Sequence, residues 1–417
     1  MYKYIIRGGN PLCGTAGVQG AKNAVLPILA ASVIPEGITT LHNCPDIYDV
    51  KITLEILRLM GCNVQRSGNS ITVDASSVST HKIPEKLTRK MRSSVIFLGA
   101  ILAREGVAVC SYPGGCELGL RPIDIHLKAF RQLGVEIAEE DGFIKCRLSK
   151  YRPGYVHLGF PSVGATENLM LLACRQSGKT VITNCAREPE ITDLQDFLNS
   201  MGARISGAGS SIIEIEGVPR LHPAEKTIMS DRIVAATLMF MVAATKGELE
   251  LENVVPLHIS SIISLLRECG ADIRCEKDKL KIKCTNRLHS VANVQTMPYP
   301  GFPTDAQSQL MAALTTMHGT SIIDETIFEN RFNTATELMK MGADITVKDR
   351  IAVIRGVESL HPANVTAPDL RGGAALVIAA LATEGKTEIG NVCYIERGYE
   401  NFDLLISSVG GKIIKSQ

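Results

Sequence analysis

The residue with the most unusual surroundings for chemistry is Cys116. It lies in residues 112–122, where three glycines and two prolines among eleven residues predict a loop. A nearby cation lowers the pKa of a thiol, and Arg121 follows five residues later. Cys116 is therefore a candidate reactive thiol, with an inert loop cysteine as the alternative.

Positively charged residues stand where apolar helices are predicted to begin, at Lys22, Arg92 and Arg371. A cation at a helix N-terminus opposes the helix dipole, typically by about 0.3–1 kcal/mol. The unpaired N–H groups of that terminus can, however, bind an anion. This conflict between local preference and sequence indicates a binding site for an anionic group.

Three aspartates occupy similar places at predicted helix starts, at Asp231, Asp305 and Asp369. Aspartate is a favoured N-cap because its carboxylate accepts hydrogen bonds from the first backbone N–H groups. Capping alone can account for these residues, and a direct role in a site is the alternative.

Arg331 and Arg397 follow predicted strand ends, and we expect them to face the same side as the helix starts. The planar guanidinium group suits both phosphate and carboxylate. A surface ion pair with a neighbouring glutamate is the alternative for each arginine. Six cations would hold a densely anionic ligand if they converge on one cleft between two domains. These cations are Lys22, Arg92, Arg121, Arg331, Arg371 and Arg397.

Other site chemistries find little support in the sequence. His126 is interpreted as a structural or ligand-edge histidine rather than a base. None of the nine histidines are paired at i, i+3 or i, i+4 and no Cys/His cluster forms, so no metal site is predicted. The phosphate-binding patterns G-x-x-x-x-G-K and G-x-G-x-x-G are also missing from the sequence.

The elements that must position these residues recur six times. An amphipathic helical segment followed by a glycine recurs at intervals of 68 to 73 residues. Each repeat also contains a second glycine, which follows an apolar, Ala-rich helix. Both glycines are predicted to be left-handed helix C-caps. The first set is Gly61, Gly134, Gly202, Gly270, Gly342 and Gly410, and the second is Gly37, Gly106, Gly178, Gly247, Gly319 and Gly385.

Each repeat is a β-α-β-type unit that cannot bury its own faces, so we predict an α/β fold of six repeats, three per domain. Helices at 24–34 and 373–383 are apolar all round and should lie inside, with the amphipathic helices and the sheets outside. The prediction is a two-domain inside-out α/β barrel. Its domains are residues 22–229 and residues 1–21 plus 230–417, with the ligand cleft between them.

The composition limits the class of protein. Lys and Arg total 44 against 43 Asp and Glu in 417 residues, which argues against a chain-wide basic surface for nucleic acid or membrane. The twelve cysteines are scattered without a C-x-x-C pair, as suits buried thiols in a reducing compartment. No apolar run suits a signal peptide or a membrane span. We expect a cytoplasmic protein with small-molecule ligands and no obligate protein partner.

Six motifs, in order, resemble the UDP-N-acetylglucosamine 1-carboxyvinyltransferase family nearly end to end. They are Gly20-Ala21-Lys22-Asn23-Ala24, Pro113-Gly114-Gly115-Cys116, Arg121-Pro122-Ile123-Asp124, Pro303-Thr304-Asp305, Asp369-Leu370-Arg371 and Arg397-Gly398-Tyr399-Glu400. The resemblance implies transfer of the enolpyruvyl group of phosphoenolpyruvate to the 3-hydroxyl of UDP-N-acetylglucosamine, the committed step of peptidoglycan synthesis. It also implies two similar domains that close over a cleft, and no cofactor.

The resemblance further implies roles for individual residues. Asp305 would be the base near the sugar 3-hydroxyl, and Cys116 the general acid that fosfomycin alkylates in the family. Lys22, Arg121 and Arg397 would hold the phosphate of phosphoenolpyruvate, while Arg331 and Arg371 would position its anionic end. The sugar nucleotide would contact Asn23, Arg92, Arg121, Pro122, Ile123, Asp124, Ile125, Ser162, Val163, Gly164 and Ile327.

The chain departs from the family at Phe160-Pro161, where many members have Lys-Val before Ser-Val-Gly. The lysine contact to the diphosphate therefore has no counterpart at this position. Two rival functions are a transferase of the kind that makes 5-enolpyruvylshikimate 3-phosphate and a non-catalytic protein that kept the cleft. The Gly-Gly-Cys116 loop and Lys22-Asn23 argue against the first, and intact Cys116, Asp305 and Arg397 against the second.

Overall fold

The computed structural model describes residues 2–114 and 123–416. These residues form an α/β structure of two compact units. The first unit contains residues 20–114 and 123–229, and the second contains residues 2–19 and 230–416. Each unit has its own hydrophobic core.

The described residues form thirteen α-helices, four short 3-10 helices and 23 strands. The α-helices are α1 (Lys22–Ala31), α2 (Tyr48–Leu59), α3 (Glu85–Thr88), α4 (Phe97–Glu105), α5 (Asp124–Gln132), α6 (Val163–Ala173), α7 (Pro189–Ser200), α8 (Arg232–Thr245), α9 (Ser260–Glu268), α10 (Gln307–Leu314), α11 (Asn333–Lys340), α12 (Leu370–Ala382) and α13 (Phe402–Ser408). The 3-10 helices are Arg92–Ile96, Pro256–Ile259, Thr304–Ala306 and Val392–Arg397.

The strands are short and distributed over the whole chain. They are β1 (Lys3–Gly8), β2 (Cys13–Gly17), β3 (Ile38–His42), β4 (Asn63–Ser67), β5 (Ser70–Asp74), β6 (Val107–Ser111), β7 (Val135–Glu140), β8 (Phe143–Leu148), β9 (Tyr155–His157), β10 (Lys179–Thr183), β11 (Arg204–Ser206), β12 (Ile212–Glu216), β13 (Glu225–Thr227), β14 (Glu248–Glu252), β15 (Asp272–Cys275), β16 (Lys279–Lys283), β17 (Asn293–Gln295), β18 (Thr320–Asp324), β19 (Asp344–Lys348), β20 (Ile351–Arg355), β21 (Asn364–Thr366), β22 (Gly385–Gly390) and β23 (Lys412–Ser416).

Three apolar helices lie in the core of each unit: α1, α4 and α6 in the first, and α8, α10 and α12 in the second. Every residue of α8 is buried, and so is every residue of α10. A helix that is apolar on all sides gains nothing from a solvent-facing side, so it is stable only inside a core. The prediction that the Ala-rich helices are buried is confirmed.

The sheets follow one recurring pattern. Among the described strands there are six separate sheets, three in each unit, of which five have four strands and one has three. In the sheet of β14, for example, β16 pairs antiparallel on one side and β2 pairs parallel on the other. Leu249 and Leu251 of β14 point into the core, whereas Glu248 and Glu252 face outward and pair with lysines of β16.

The two ends of the chain meet in one sheet. Strand β1 lies between β22 and β23 and pairs antiparallel with both. Strand β2 pairs parallel with β14, so residues 2–19 belong to the second unit. The first unit closes in a similar way, because β13 from its end pairs parallel with β3 near its beginning.

Eleven of the twelve recurring glycines have a positive φ, as predicted, and Gly247 does not. At the end of α8 the left-handed position is occupied by Lys246, with φ of 57°. Gly247 is required for another reason: a Cβ atom there would lie 2.2 Å from the carbonyl oxygen of Leu12. The prediction of a left-handed glycine at this position is wrong, and close packing against Leu12 explains the residue.

No helix in the described ranges is both long enough and apolar enough to cross a bilayer.

Candidate active site

Asp231 and Asp369 are N-caps. Oδ1 of Asp231 accepts hydrogen bonds from the backbone N–H groups of Ile233 and Val234, at 2.9 and 3.1 Å. Oδ1 of Asp369 likewise accepts from the N–H groups of Arg371 and Gly372. The capping interpretation is confirmed for these two residues.

Asp305 differs from them, because it does not cap its helix. It lies in the 3-10 helix Thr304–Ala306, in which no side chain caps the N-terminus. Its carboxylate instead accepts from two arginines: Nη2 of Arg331 lies 2.6 Å from Oδ1, and Nη2 of Arg371 lies 3.0 Å from Oδ2. Charge-assisted bonds to both oxygens stabilise the ionised carboxylate. The capping interpretation is therefore wrong for Asp305, and the structure shows a charged triad.

The two arginines of this triad are buried, whereas the aspartate is partly exposed. The side chain of Arg331 is 2% exposed and that of Arg371 is 5% exposed, against 29% for Asp305. Burial alone would lower the pKa of Arg371, but the nearby Asp305 carboxylate, with Tyr399 and Asp231, raises it above its ordinary value. Arg371 is therefore a fixed cation.

Arg331 does not form a surface ion pair with Glu329, two residues earlier, because Glu329 pairs with Arg350 instead. Arg331 also donates from Nε to the backbone oxygen of Thr304 at 3.1 Å, so it holds both the backbone and the side chain at Asp305. The surface alternative is wrong for this residue. Arg397 ends the 3-10 helix Val392–Arg397, which packs on α12, the helix that carries Arg371.

Glu325 organises the same region, and sequence reasoning missed it. This carboxylate is fully buried and accepts four hydrogen bonds, from the hydroxyls of Thr296 and Thr304 and from the backbone N–H groups of Ile327 and Phe328. It thereby links the residue before Asp305 to the turn that contains Ile327. The sequence offered no local signal for this role, because the partners Thr296 and Thr304 lie 29 and 21 residues away in the chain.

In the first unit, Lys22 begins α1 and forms an ion pair with Asp49 of α2. The distance from Nζ to Oδ2 is 2.7 Å, and the side chain of Asp49 is only 2% exposed. The buried carboxylate offsets the unfavourable placement of a cation at a helix start. Asn23 follows Lys22 on α1 and is half-buried.

A second group in this unit surrounds His126 of α5. Asn168 of α6 accepts a hydrogen bond from Gly99 N–H on Oδ1, and its Nδ2 donates to Val95 O and to Nδ1 of His126 at 2.8 Å. Nδ1 of the imidazole must therefore be the acceptor, which places the ring proton on Nε2. A Cβ atom at Gly164 would lie 3.0 Å from Cε1 of this ring, so the ring sits directly against the start of α6.

Burial lowers the pKa of His126 to about 4, with a further contribution from the charge of Arg92, while Asp124 opposes the shift. The imidazole is therefore neutral at pH 7, as a structural or ligand-edge histidine should be.

This shift predicts a pH-dependent loss of stability. Because the pKa is lower in the folded state, the unfolded chain binds the proton first as the pH falls from about 6.5 to 4, and folding is weakened. We expect the wild type to lose about 3 kcal/mol of unfolding free energy over this range relative to His126→Gln. Urea unfolding of both proteins at several pH values measures the difference. The same change at the exposed His157 is the control, and identical pH slopes for wild type and His126→Gln would contradict the prediction.

The remaining predicted site residues line the starts of α5 and α6. Ser162 caps α6, its hydroxyl accepting from Ala165 N–H at 3.4 Å, and Val163 packs partly against the core. Ile123 is buried, Ile125 is partly buried, and Asp124 pairs with Lys128 at 3.1 Å. Phe160, where many family members have lysine, is 41% exposed. Cys116, Arg121 and Pro122 lie outside the described residues.

The structure thus brings together Asp305, Arg331 and Arg371 in the second unit, and Lys22 with Asp49 in the first. In the first unit the charge of Arg92 also contributes to the lowered pKa of His126. No group of three His, Cys, Asp or Glu side chains suited to a metal ion occurs within residues 2–114 and 123–416.

Comparison with known proteins shows the family of the chain. The chain belongs to the EPSP synthase family, described as 3-phosphoshikimate 1-carboxyvinyltransferase, whose model matches residues 6–404. The chain is accordingly a transferase of the enolpyruvyl type.

Individual relatives carry a different acceptor in their names. The chain is 51% identical over 415 residues to UDP-N-acetylglucosamine 1-carboxyvinyltransferase 2 of Caldanaerobacter subterraneus subsp. tengcongensis, covering 100% of both chains. It is 45% identical to UDP-N-acetylglucosamine 1-carboxyvinyltransferase of Halothermothrix orenii, again covering 100% of both. Among solved structures, the enolpyruvyl transferase NikO from Streptomyces tendae aligns with a TM-score of 0.90 at 25% identity, over 100% of this chain and 99% of that one.

Proposed function

We propose that this enzyme transfers the enolpyruvyl group of phosphoenolpyruvate to the 3-hydroxyl of UDP-N-acetylglucosamine and releases phosphate, as the first committed step of peptidoglycan synthesis. The observation that carries the proposal is end-to-end identity of 45–51% to relatives named for this reaction. The triad of Asp305, Arg331 and Arg371 supports it, because it combines a carboxylate base with groups that bind an anionic substrate.

The triad suggests how the base is released for reaction. In the structure both arginines bind Asp305. The anionic end of phosphoenolpyruvate that Arg331 and Arg371 position competes for the same donors, so substrate binding weakens the ion pairs and raises the proton affinity of Asp305. Asp305 can then accept the proton of the sugar hydroxyl when that group lies within hydrogen-bond reach.

The reaction is an addition followed by an elimination. The sugar 3-oxygen bonds to C2 of phosphoenolpyruvate as Asp305 accepts the hydroxyl proton and Cys116 donates a proton to C3. The Cys116 thiolate then takes a proton back from C3, the C2–O bond to phosphate breaks to restore the double bond, and the proton on Asp305 passes to the leaving phosphate. Lys22, Arg121 and Arg397 stabilise the phosphate as its charge increases.

For the sugar nucleotide we propose a binding surface in the first unit. Arg92, the N-terminus of α6 at Ser162 to Gly164, and the neutral His126 are suited to a diphosphate, since an N-terminus and a nearby cation both favour anions. This arrangement offers a substitute for the lysine that Phe160-Pro161 replaces. Ile123 to Ile125 of this unit would contact the uridine together with Ile327, which the second unit contributes, and Asn23 would contact the sugar.

The same proposal extends to the architecture. Three buried helices and three sheets in each unit support an inside-out barrel built from six repeats, with domains at residues 22–229 and at residues 1–21 plus 230–417. The ligand cleft would lie between the domains, and their closure would exclude water from the intermediate. We further propose a cytoplasmic location, a role in cell-wall growth and division, and inhibition by fosfomycin.

A coupled assay tests the function directly. We expect phosphate release only when phosphoenolpyruvate and UDP-N-acetylglucosamine are both present, with no added metal ion, because the arginines supply the electrostatic stabilisation. Shikimate 3-phosphate in place of the sugar nucleotide is the control acceptor. Equal turnover with the two acceptors would assign the chain to the rival activity, and no turnover with either would favour the non-catalytic alternative.

A further inference from the structure

A buried tyrosine, Tyr399, lies close to Arg371 of the charged triad. Tyr399 follows the 3-10 helix Val392–Arg397, is 2% exposed, and packs against Phe402 with ring centroids 4.4 Å apart. The guanidinium carbon of Arg371 lies 5.9 Å from the centroid of its ring. The position of this ring therefore affects where the Arg371 guanidinium can lie.

The hydroxyl of Tyr399 is held in a directional network. Its oxygen lies 2.8 Å from Oγ1 of Thr237, a residue of α8. Thr237 Oγ1 is also 2.8 Å from the carbonyl oxygen of Ile233, which can only accept. The threonine proton is therefore used on Ile233, and the tyrosine proton must go to Thr237.

Gln309 of α10 joins the network from the other side. Its Nε2 donates to the backbone oxygen of Asp305 at 2.9 Å and to the Tyr399 hydroxyl at 3.3 Å. Its Oε1 is buried and has no hydrogen-bond partner in the part of the chain that the structure describes. An unsatisfied buried acceptor is costly, and the bonds that Nε2 donates to Asp305 and Tyr399 offset this cost.

We propose that Thr237, Gln309 and Tyr399 are positioning residues that fix Arg371 and the Asp305 backbone for binding phosphoenolpyruvate. Three elements of the second unit, α8, α10 and the turn after Arg397, meet in this network. Tyrosine is required instead of phenylalanine because the hydroxyl anchors the ring that Arg371 contacts. The inference rests on the proposed function, since it assumes that Arg371 binds the substrate.

A pair of matched threonines on α8 separates positioning from simple helix packing. Thr245 makes the same bond as Thr237, from Oγ1 to the carbonyl four residues earlier at 2.8 Å, and it is also buried. Thr237→Val removes the bond to the Ile233 carbonyl, the acceptor of the Tyr399 proton and the acceptor that Gln309 Nε2 reaches at 3.4 Å. Thr245→Val removes only the bond within the helix. Thr237→Ser keeps the hydroxyl and serves as the rescue variant.

We expect Thr237→Val to raise KM for phosphoenolpyruvate about tenfold and to leave KM for UDP-N-acetylglucosamine within about twofold. Thr245→Val should behave like the wild type, and Thr237→Ser should recover most of the lost kcat/KM. Tyr399→Phe should reproduce the Thr237→Val effect, and the double variant should add little because both changes break one network. Melting temperatures of the two valine variants should be similar.

The proposal would be overturned if Thr237→Val and Thr245→Val had the same kinetic constants. It would also be overturned if Thr237→Val raised KM for phosphoenolpyruvate and KM for UDP-N-acetylglucosamine by the same factor. Calorimetric titration with phosphoenolpyruvate keeps this test separate from the proposed function. If the wild type binds phosphoenolpyruvate without turnover and Thr237→Val alone binds it about tenfold more weakly, the function is wrong and the network stands. If the wild type does not bind phosphoenolpyruvate at all, both are wrong.

Discussion

Replacing Asp305 by asparagine is expected to lower turnover by at least about a hundredfold, because an amide cannot accept the proton of the sugar hydroxyl. In the wild type, two arginines donate to the Asp305 carboxylate. The substitution turns the N–H group of asparagine toward one of these arginines, so that two donors face each other. Two buried cations then lose their counter-charge, so the unfolding free energy should also fall, by on the order of 1–3 kcal/mol.

The measurement is steady-state phosphate release together with chemical unfolding, at a temperature where both proteins are folded. Asp344→Asn is the matched control, since Asp344 also forms an ion pair with an arginine, Arg355, but at an exposed position. That variant should keep its turnover. A folded Asp305→Asn enzyme with near-wild-type turnover would show that Asp305 is not the base.

Cys116→Ser is expected to lose most of its turnover, because a hydroxyl is a much weaker acid than a thiol. Cys116→Asp should retain turnover where the site keeps the carboxylic acid protonated. In the wild type, the cations of the empty cleft should favour the thiolate. We therefore expect fosfomycin, an anionic epoxide, to alkylate Cys116: sulfur bonds to a ring carbon, the C–O bond opens, and the oxygen takes up a proton.

The other cysteines make this labelling experiment selective. Eight of the eleven in the described ranges are buried, and burial raises the pKa of thiols such as Cys44, Cys110 and Cys174 to about 12, which disfavours the reactive thiolate. Cys13, Cys275 and Cys393 are exposed and form the internal control. Peptide mass mapping should find the adduct on Cys116 and not on Cys116→Asp. Loss of activity with label on another cysteine and none on Cys116 would overturn the assignment.

The sequence pattern was sufficient for features that depend on local chemistry. Ala-rich helices such as α8 are buried because they offer no polar face, and Asp231 and Asp369 cap their helices because the carboxylate reaches the first N–H groups. The positive φ of Gly61 and Gly342 likewise follows from their place after a helix.

Features set by contacts between distant segments could not be predicted in this way. Asp305 looks like a cap in sequence, and only folding brings Arg331 and Arg371 to it from 26 and 66 residues away. Gly247 follows a helix, yet close packing against Leu12 determines its role. Two of the four donors to Glu325, Thr296 and Thr304, come from an earlier segment, and the other two are the N–H groups of the turn that follows it. No local rule assigns a buried carboxylate to such a turn.

The sheet that joins the two ends of the chain has a consequence for synthesis on the ribosome. Lys3 of β1 and its partner Glu388 of β22 are 385 residues apart, which at roughly 5–20 residues per second corresponds to about 20–80 seconds of translation. During that interval β1 has neither neighbouring strand, and Tyr4 and Ile6, later part of the core, have no core to enter. The first unit has all of its described strands once residue 227 has been made. The first unit can therefore complete its sheets while β1 still lacks both of its partner strands.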